Sequence, residues 1–247
     1  MEVSLKENER IDDLELQGLK IIQNKEGFCF GMDSVLLSDF AKEIKPKTKI
    51  IDLGTGTGIL GILLSAKTQD TKIVGIEIQK EVAQMAQRSI ELNDLQEKFS
   101  VICENIKNLK EQYEKGSFDA VVTNPPYKKQ GTGAINEKDA KLISRHEITA
   151  NLEDFISMSS YLLKDQGSIY MVHRPERLAD ILVMLRKYKL EPKVLKLVYP
   201  NLVKEPNLIL IKATKNAKEF LRVEKPLYVY NLDGSYTEEI LKIYHKL

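Results

Sequence analysis

From residue 49 to residue 64 the chain reads Lys-Ile-Ile-Asp-Leu, then Gly54-Thr55-Gly56-Thr57-Gly58, then Ile-Leu-Gly-Ile-Leu-Leu. The first five residues suit a short strand buried on both faces, and the last six open a helix. The glycines allow a tight turn and a close approach of ligand to backbone N–H groups. Strand and helix keep alternating downstream. Lys72 to Ile78 reads as a strand, and Lys80 to Asn93 as an amphipathic helix with Val82, Met85, Ala86 and Ile90 on one face. Phe99 to Cys103 and Phe118 to Thr123 are further strands. Leu152 to Leu163 reads as a helix, Gly167 to Val172 as a strand, and Pro175 as the first residue of a helix to Tyr188. Such alternation predicts an α/β fold, a parallel sheet with helices on both faces. Glu191 to Tyr199 and Asn207 to Ala213 are the last strands of the main sheet. The crossover between them is too short for a helix, so they run antiparallel.

The flanks are smaller. Residues 1–17 are mostly polar and charged, an arm or a weak first strand. Leu19 to Gln23 reads as a strand, residues 24–27 as a turn, and Phe28 to Phe30 as the strand that pairs back. A helix opens near Gly31, with Asp33 or Ser34 as N-cap. After residue 215 come a short strand around Leu227 to Val229, a turn at Asp233-Gly234 and a helix from Thr237. The expected division is a hairpin and helix over 1–48, a core over 49–214, and an extension over 215–247 packed on that core.

Net charge is +1 with 30% charged residues, so both signs are interspersed. That excludes a global electrostatic grip on nucleic acid; any basic surface is local. The two cysteines, Cys29 and Cys103, are isolated and suggest neither a metal site nor a disulfide framework. No charged-then-apolar leader opens the chain, and no apolar run is long enough to span a bilayer. The expectation is a soluble, cytoplasmic protein without membrane or metal.

The strand at Phe118 to Val122 runs into Asn124-Pro125-Pro126-Tyr127. Proline cannot donate to the ladder, so the strand ends there, and the residue before a proline is held extended. Asn124 therefore points into the crevice beyond the sheet edge, where ligands of open α/β sheets bind. The tetrapeptide resembles the catalytic motif of amino-group methyltransferases, whose substrate, an exocyclic amine, is a poor nucleophile because its lone pair is delocalised. The Asn124 side-chain oxygen and the Pro125 carbonyl can each accept one of its N–H bonds and favour the attacking geometry. Tyr127 offers a flat face for a planar substrate. A Pro-Pro turn closing a strand accounts for the same residues and stands beside this reading.

Glu77, at the end of the second core strand, is placed to accept both hydroxyls of a ribose. Gly56-x-Gly58-x-x-Gly61 also matches the dinucleotide fingerprint. Against that reading, Gly54 occupies the strand end, and Asp52 has no task in holding a pyrophosphate. Asp52 has one if the ligand carries a sulfonium or an amino group.

Taken together, Asp52 to Gly58, Glu77 and Asn124 to Tyr127 resemble the class I S-adenosylmethionine-dependent N-methyltransferases. The chain is similar over most of its length to the bacterial tRNA (adenine-N6) methyltransferases of the tRNA-valine position-37 type, in the small-methyltransferase group. Further likeness lies at Phe30 to Leu37, Ser144 to Glu147, Met171 to Leu178 and Asp233 to Tyr236. The resemblance implies a Rossmann-like, seven-stranded sheet with the last strand antiparallel, and S-adenosylmethionine as cofactor. It implies that Gly54, Gly56 and Gly58 lie against the methionine part, that Glu77 holds the ribose and Ile78 packs on the adenine, and that Asp52, Thr55 and Asn124 belong to the same cofactor site. Asn105 stands where an Asp commonly meets the adenine amino group. Asp33 matches the segment that closes over the methionine end, and a helix N-cap is its other reading.

On the substrate side, Lys128, Lys129, Lys138, Lys141, Arg145, Arg174 and Arg177 are candidates for phosphate contact, against the plain reading of a solvated polar loop. His146 and His173 lack ligand or triad spacing and so read as structural or substrate-contacting residues rather than catalytic acids or bases. The partner expected is RNA, foremost tRNA. Ribosomal RNA or a glutamine amide as acceptor, a non-catalytic RNA-binding protein that keeps a cofactor pocket, and an NAD-dependent oxidoreductase are the competing functions.

Overall fold

The computed structural model describes residues 4–25, 31–127 and 150–246. Eleven strands form in chain order among them. β1 (Glu9–Asp13) and β2 (Lys20–Asn24) precede helix α1 (Met32–Phe40). The core follows as β3 (Lys49–Leu53), α2 (Ile59–Lys67), β4 (Lys72–Glu77), α3 (Lys80–Leu92), β5 (Phe99–Cys103) and β6 (Phe118–Thr123). It continues with α4 (Leu152–Leu162), β7 (Leu163–His173), α5 (Leu178–Lys187), β8 (Leu190–Tyr199) and β9 (Leu208–Lys215). Two short strands, β10 (Arg222–Val223) and β11 (Leu227–Tyr228), and helix α6 (Glu238–Ile243) close the chain.

The seven core strands lie in the order β5-β4-β3-β6-β7-β9-β8, with β9 antiparallel to both neighbours. β10 and β11 add to the free side of β8, which makes the sheet nine-stranded. Their two-residue lengths blunt an edge that would otherwise offer unpaired backbone groups. Strand order reverses at β3, which pairs with β4 on one side and β6 on the other. That reversal opens a crevice at the carboxyl ends of β3 and β6.

Strand residues alternate between the two faces, as the pleat requires. Ile50, Ile73, Val122 and Val172 join the cluster under α1 and α2; Ile51, Ile76, Val121 and Met171 join the one under α4 and α5. The first cluster also takes in Leu227, Val229, Ile240 and Ile243, so the last segment packs on the same core.

Several local expectations change. β2 pairs with β1, and Phe28 to Phe30 lie outside the described residues. The hairpin is anchored on α3, where Arg88 holds the buried Glu9 through two hydrogen bonds of 2.6 Å. Ser89 accepts from the Ile22 backbone at 3.0 Å and Asn93 bonds both backbone groups of Lys20. Helix α1 is capped by Gly31, with no side-chain cap, which leaves Asp33 in the first turn. Pro175 to Arg177 form a 3-10 turn before α5 begins. Among the described residues no helix is long and apolar enough to cross a membrane.

Candidate active site

Leu53 and Thr123 are register partners at the ends of β3 and β6, and the Thr123 hydroxyl donates to the Leu53 carbonyl at 2.8 Å. Gly54 and Asn124, the next residues, therefore leave the sheet side by side. The turn after β3 takes left-handed backbone at Gly54, Gly56 and Gly58, with φ of 74°, 57° and 85°. Side-chain-bearing residues rarely hold that conformation, least of all three times in five positions. Gly54 N and Thr55 N both donate to the Ile76 carbonyl, at 3.0 and 2.9 Å.

Two carboxylates face this turn. Glu77 is buried; one oxygen accepts from Gly56 N at 3.1 Å and the other from Gln79 N at 2.9 Å. Asp52, also buried, accepts from the Thr55 hydroxyl at 2.6 Å. Burial pushes its carboxyl up to about 7; the Thr55 bond opposes this, and the charge of Glu77 adds to it. A Cβ on Gly75 would stand 2.8 Å from Thr55 Cγ2, so that glycine makes the room Thr55 occupies. A Cβ on Gly56 would meet nothing within 4 Å: the space beside the turn is open. A pair of buried acids beside an open turn suits a ligand carrying both a ribose and a positive charge.

Gly61 behaves otherwise. A Cβ there would come within 2.3 Å of the Phe99 ring, so this glycine serves helix–strand packing. Asn105 caps the 3-10 turn at 106–111, its side-chain oxygen accepting from Lys107 N at 3.0 Å. Ile78 follows Glu77 at the end of β4, and its carbonyl faces Cys103 Sγ at 3.8 Å.

Beyond β6, Pro125 is buried, while Asn124, Pro126 and Tyr127 are partly so. The Tyr127 hydroxyl donates to Asp33 Oδ2 at 2.5 Å. Burial, then the Asp33 carboxylate, holds this phenol far above its usual range, so it is neutral at any physiological pH. The Arg174 guanidinium lies over the Tyr127 ring, 5.0 Å from its centroid, and donates to the Asn207 carbonyl at 2.9 Å. The flat face anticipated at Tyr127 is thus shared with a cation. His173 meets the same ring edgewise at 5.1 Å.

The structure brings Asp33, Tyr127 and Arg174 together at one end of the crevice and Asp52, Glu77 and the glycines at its centre. Arg177 turns to Asp180 instead, at 2.8 Å. Lys128, Lys129, Lys138, Lys141, Arg145 and His146 lie outside the described residues. His173 lies inside the Met171 to Leu178 likeness and matches the reading of a structural or substrate-contacting residue only in kind, while Thr123 carries no sequence signal beyond its nearness to Asn124. Among the described residues no group of three or more His, Cys, Asp or Glu is placed to hold a metal ion.

A family model described as methyltransferase small domain matches residues 31–187. A Porphyromonas gingivalis protein named tRNA1(Val) (adenine(37)-N6)-methyltransferase is 28% identical over 221 residues, covering 86% of each chain. A Shewanella frigidimarina protein of the same name is 28% identical over 168 residues, covering 66% of each. Among solved structures, a predicted O-methyltransferase of Agrobacterium tumefaciens superposes with a TM-score of 0.70 at 20% identity, covering 87% of this chain and 96% of that one. Geranyl diphosphate C-methyltransferase of Streptomyces coelicolor, solved with S-adenosyl-L-homocysteine, gives 0.55 at 14% identity, covering 74% of this chain and 79% of that one.

Proposed function

The chain belongs to the methyltransferase small domain family, and from that premise we propose that it methylates an exocyclic amine with S-adenosylmethionine as donor, the target being adenine N6 in a tRNA anticodon loop. The observation that carries this reading is the adjacency of Asn124 to the Gly54 turn, tied through Leu53 and Thr123. It puts amide and carbonyl acceptors beside a cradle suited to a cationic nucleoside.

Bound S-adenosylmethionine supplies an electrophilic methyl group on a sulfonium. The Glu77 oxygens, each oriented by one backbone N–H, keep lone pairs for the ribose hydroxyls. Asp52 offers a carboxylate that ionises readily once a positive charge lies nearby. Asn124 Oδ1 and the Pro125 carbonyl each accept one N–H of the target amine, which localises its lone pair toward the methyl group. Positioning and fixed dipoles supply the catalysis. As the N–C bond replaces the methyl–sulfonium bond, the positive charge would pass from sulfur to the amine nitrogen, whose proton would then go to solvent water, so no strong base is required. Tyr127, protonated and pinned by Asp33, serves as a wall for the base. Ile78 would pack on the cofactor adenine, and Asn105, whose side-chain oxygen already accepts from Lys107 N, would offer its second lone pair to the adenine amino group.

An adenine must leave its stack to reach such a site, which costs least in a single-stranded loop. The name of the Porphyromonas gingivalis relative supports tRNA as that substrate. Lys128, Lys129, Arg145 and Arg174 are assigned to the RNA backbone. Residues 49–214 are taken as the methyltransferase core, with 1–48 and 215–247 as additions to it, and the enzyme is placed in the cytoplasm.

The test uses methyl-labelled S-adenosylmethionine with unmodified bulk tRNA, ribosomal RNA and release factor in parallel, each product being digested and identified by mass spectrometry. Label in N6-methyladenosine from tRNA is the expected result. Label in another nucleoside or in glutamine would replace the substrate, and label in none of them would overturn the proposal.

A further inference from the structure

His173 closes β7 and has no exposed surface. Its Nδ1 accepts from Arg174 N at 2.8 Å. In a neutral imidazole that places the proton on Nε2. Burial, with the Arg177 and Arg174 charges adding to it, holds the ring's pKa down at about 4, so it stays neutral. Among the described residues Nε2 is the only buried side-chain nitrogen or oxygen with no hydrogen-bond partner. An unspent buried donor is unfavourable. The contacts the imidazole does make come from its other atoms.

Those atoms meet two groups. Nδ1 fixes the Arg174 backbone, and the ring meets Tyr127 at 5.1 Å with planes at 62°. From that fixed backbone the Arg174 guanidinium returns over the Tyr127 ring and anchors on the Asn207 carbonyl. One side chain thus supports both parts of the wall beside Asn124. We propose that His173 is a positioning residue that sets the angle of the Tyr127 ring and the place of Arg174, and through them how the planar substrate is laid. The role in substrate placement rests on the proposed function; the support of Tyr127 does not.

Two variants separate the contacts. His173→Phe keeps a ring against Tyr127 and loses the acceptor for Arg174 N. His173→Asn keeps an acceptor and loses the ring. The Tyr127 ring signal is read by NMR in protein with ¹³C-labelled tyrosine rings, assigned through Tyr127→Phe and recorded without substrate. It shifts in His173→Asn and is largely restored in His173→Phe. With unmodified tRNA, kcat/KM falls about tenfold in both variants, within the range that slight misplacement of reactants produces, while S-adenosylhomocysteine affinity changes less than about twofold. Loss of the His173 ring current by itself moves that signal, so the deciding readout is the nuclear Overhauser contact between the Tyr127 ring and the Arg174 side chain: it changes in both variants if His173 sets their arrangement, whereas a purely structural role would lower the melting temperature and leave that contact unchanged. An unchanged Tyr127–Arg174 contact in both variants, recorded well below their melting temperatures, overturns the proposal. Absence of transfer by the unsubstituted enzyme strikes the proposed function instead, since the ring signal is read without it.

Discussion

The hydroxyl of Tyr127 donates to Oδ2 of Asp33 at 2.5 Å, which ties the segment after β6 to the first turn of α1 across 94 positions of sequence. Hydrogen bonds to a charged partner contribute roughly 1.5–3 kcal/mol net. Tyr127→Phe and Asp33→Ala should each cost an amount of that order. Because they remove one shared bond, their effects should fail to add by about 1–2 kcal/mol in the double variant. Urea unfolding of the four proteins measures the coupling.

Asp52 predicts a pH effect with a definite sign. Its carboxyl titrates near 3.8 when unfolded and at about 7 in the fold. The fold favours the protonated form, so the associated stability is fully present below pH 4 and is lost as pH rises to 7. Asp52→Asn removes this titration. The stability of the ligand-free variant relative to the unsubstituted protein should grow from pH 4 to pH 7 and then level off, by an amount on the order of a few kcal/mol. A difference constant across that window would contradict the assignment.

Gly56 and Gly61 should separate ligand binding from packing. A Cβ on Gly56 enters open space, whereas one on Gly61 enters the Phe99 ring. Gly61→Ala should destabilise by roughly 1–3 kcal/mol, the usual cost of overpacking. Gly56→Ala should lose about 1 kcal/mol to its left-handed backbone and lose most cofactor affinity. Thermal unfolding and calorimetric titration with S-adenosylhomocysteine distinguish the two.

The alternation from β3 to β6 was legible because parallel strands buried on both faces read as apolar runs, and each is followed by an amphipathic helix or a turn signal. The strand end at Asn124 was legible because two prolines dictate it. β1 was not. Its sequence Glu-Arg-Ile-Asp-Asp has a single apolar residue, Ile11, and that one is exposed. What fixes it is the ion pair between Glu9 and Arg88, 79 residues away. Gly61 fitted the third place of a dinucleotide fingerprint, and its requirement is helix–strand packing against Phe99 of β5, a partner the local sequence does not name. Asp33 read equally as a cap or a ligand; the structure makes Gly31 the cap and hands Asp33 to Tyr127. His173 read as structural or substrate-contacting, but its partners were hidden for the same reason: the Tyr127 ring contact and the unpaired nitrogen exist only once β6 and β7 are side by side.

Glu77 joins Gly56 N to Gln79 N. In Glu77→Ala both donors lose their acceptor and the ribose loses its own. S-adenosylhomocysteine affinity should fall roughly 10- to 100-fold, equivalent to about 1.4–2.8 kcal/mol. Equilibrium titration checks this, and unchanged affinity would remove Glu77 from the cofactor site.

Asn124→Ala in a single-turnover reaction bears most directly on the central claim that Asn124 presents the amine beside the cofactor cradle. Methyl transfer to unmodified tRNA is followed from enzyme preloaded with labelled S-adenosylmethionine, and S-adenosylhomocysteine affinity is titrated on the same preparation. The account predicts transfer slowed by about 100-fold or more with affinity within about threefold of the unsubstituted enzyme. Transfer at the original rate would contradict it.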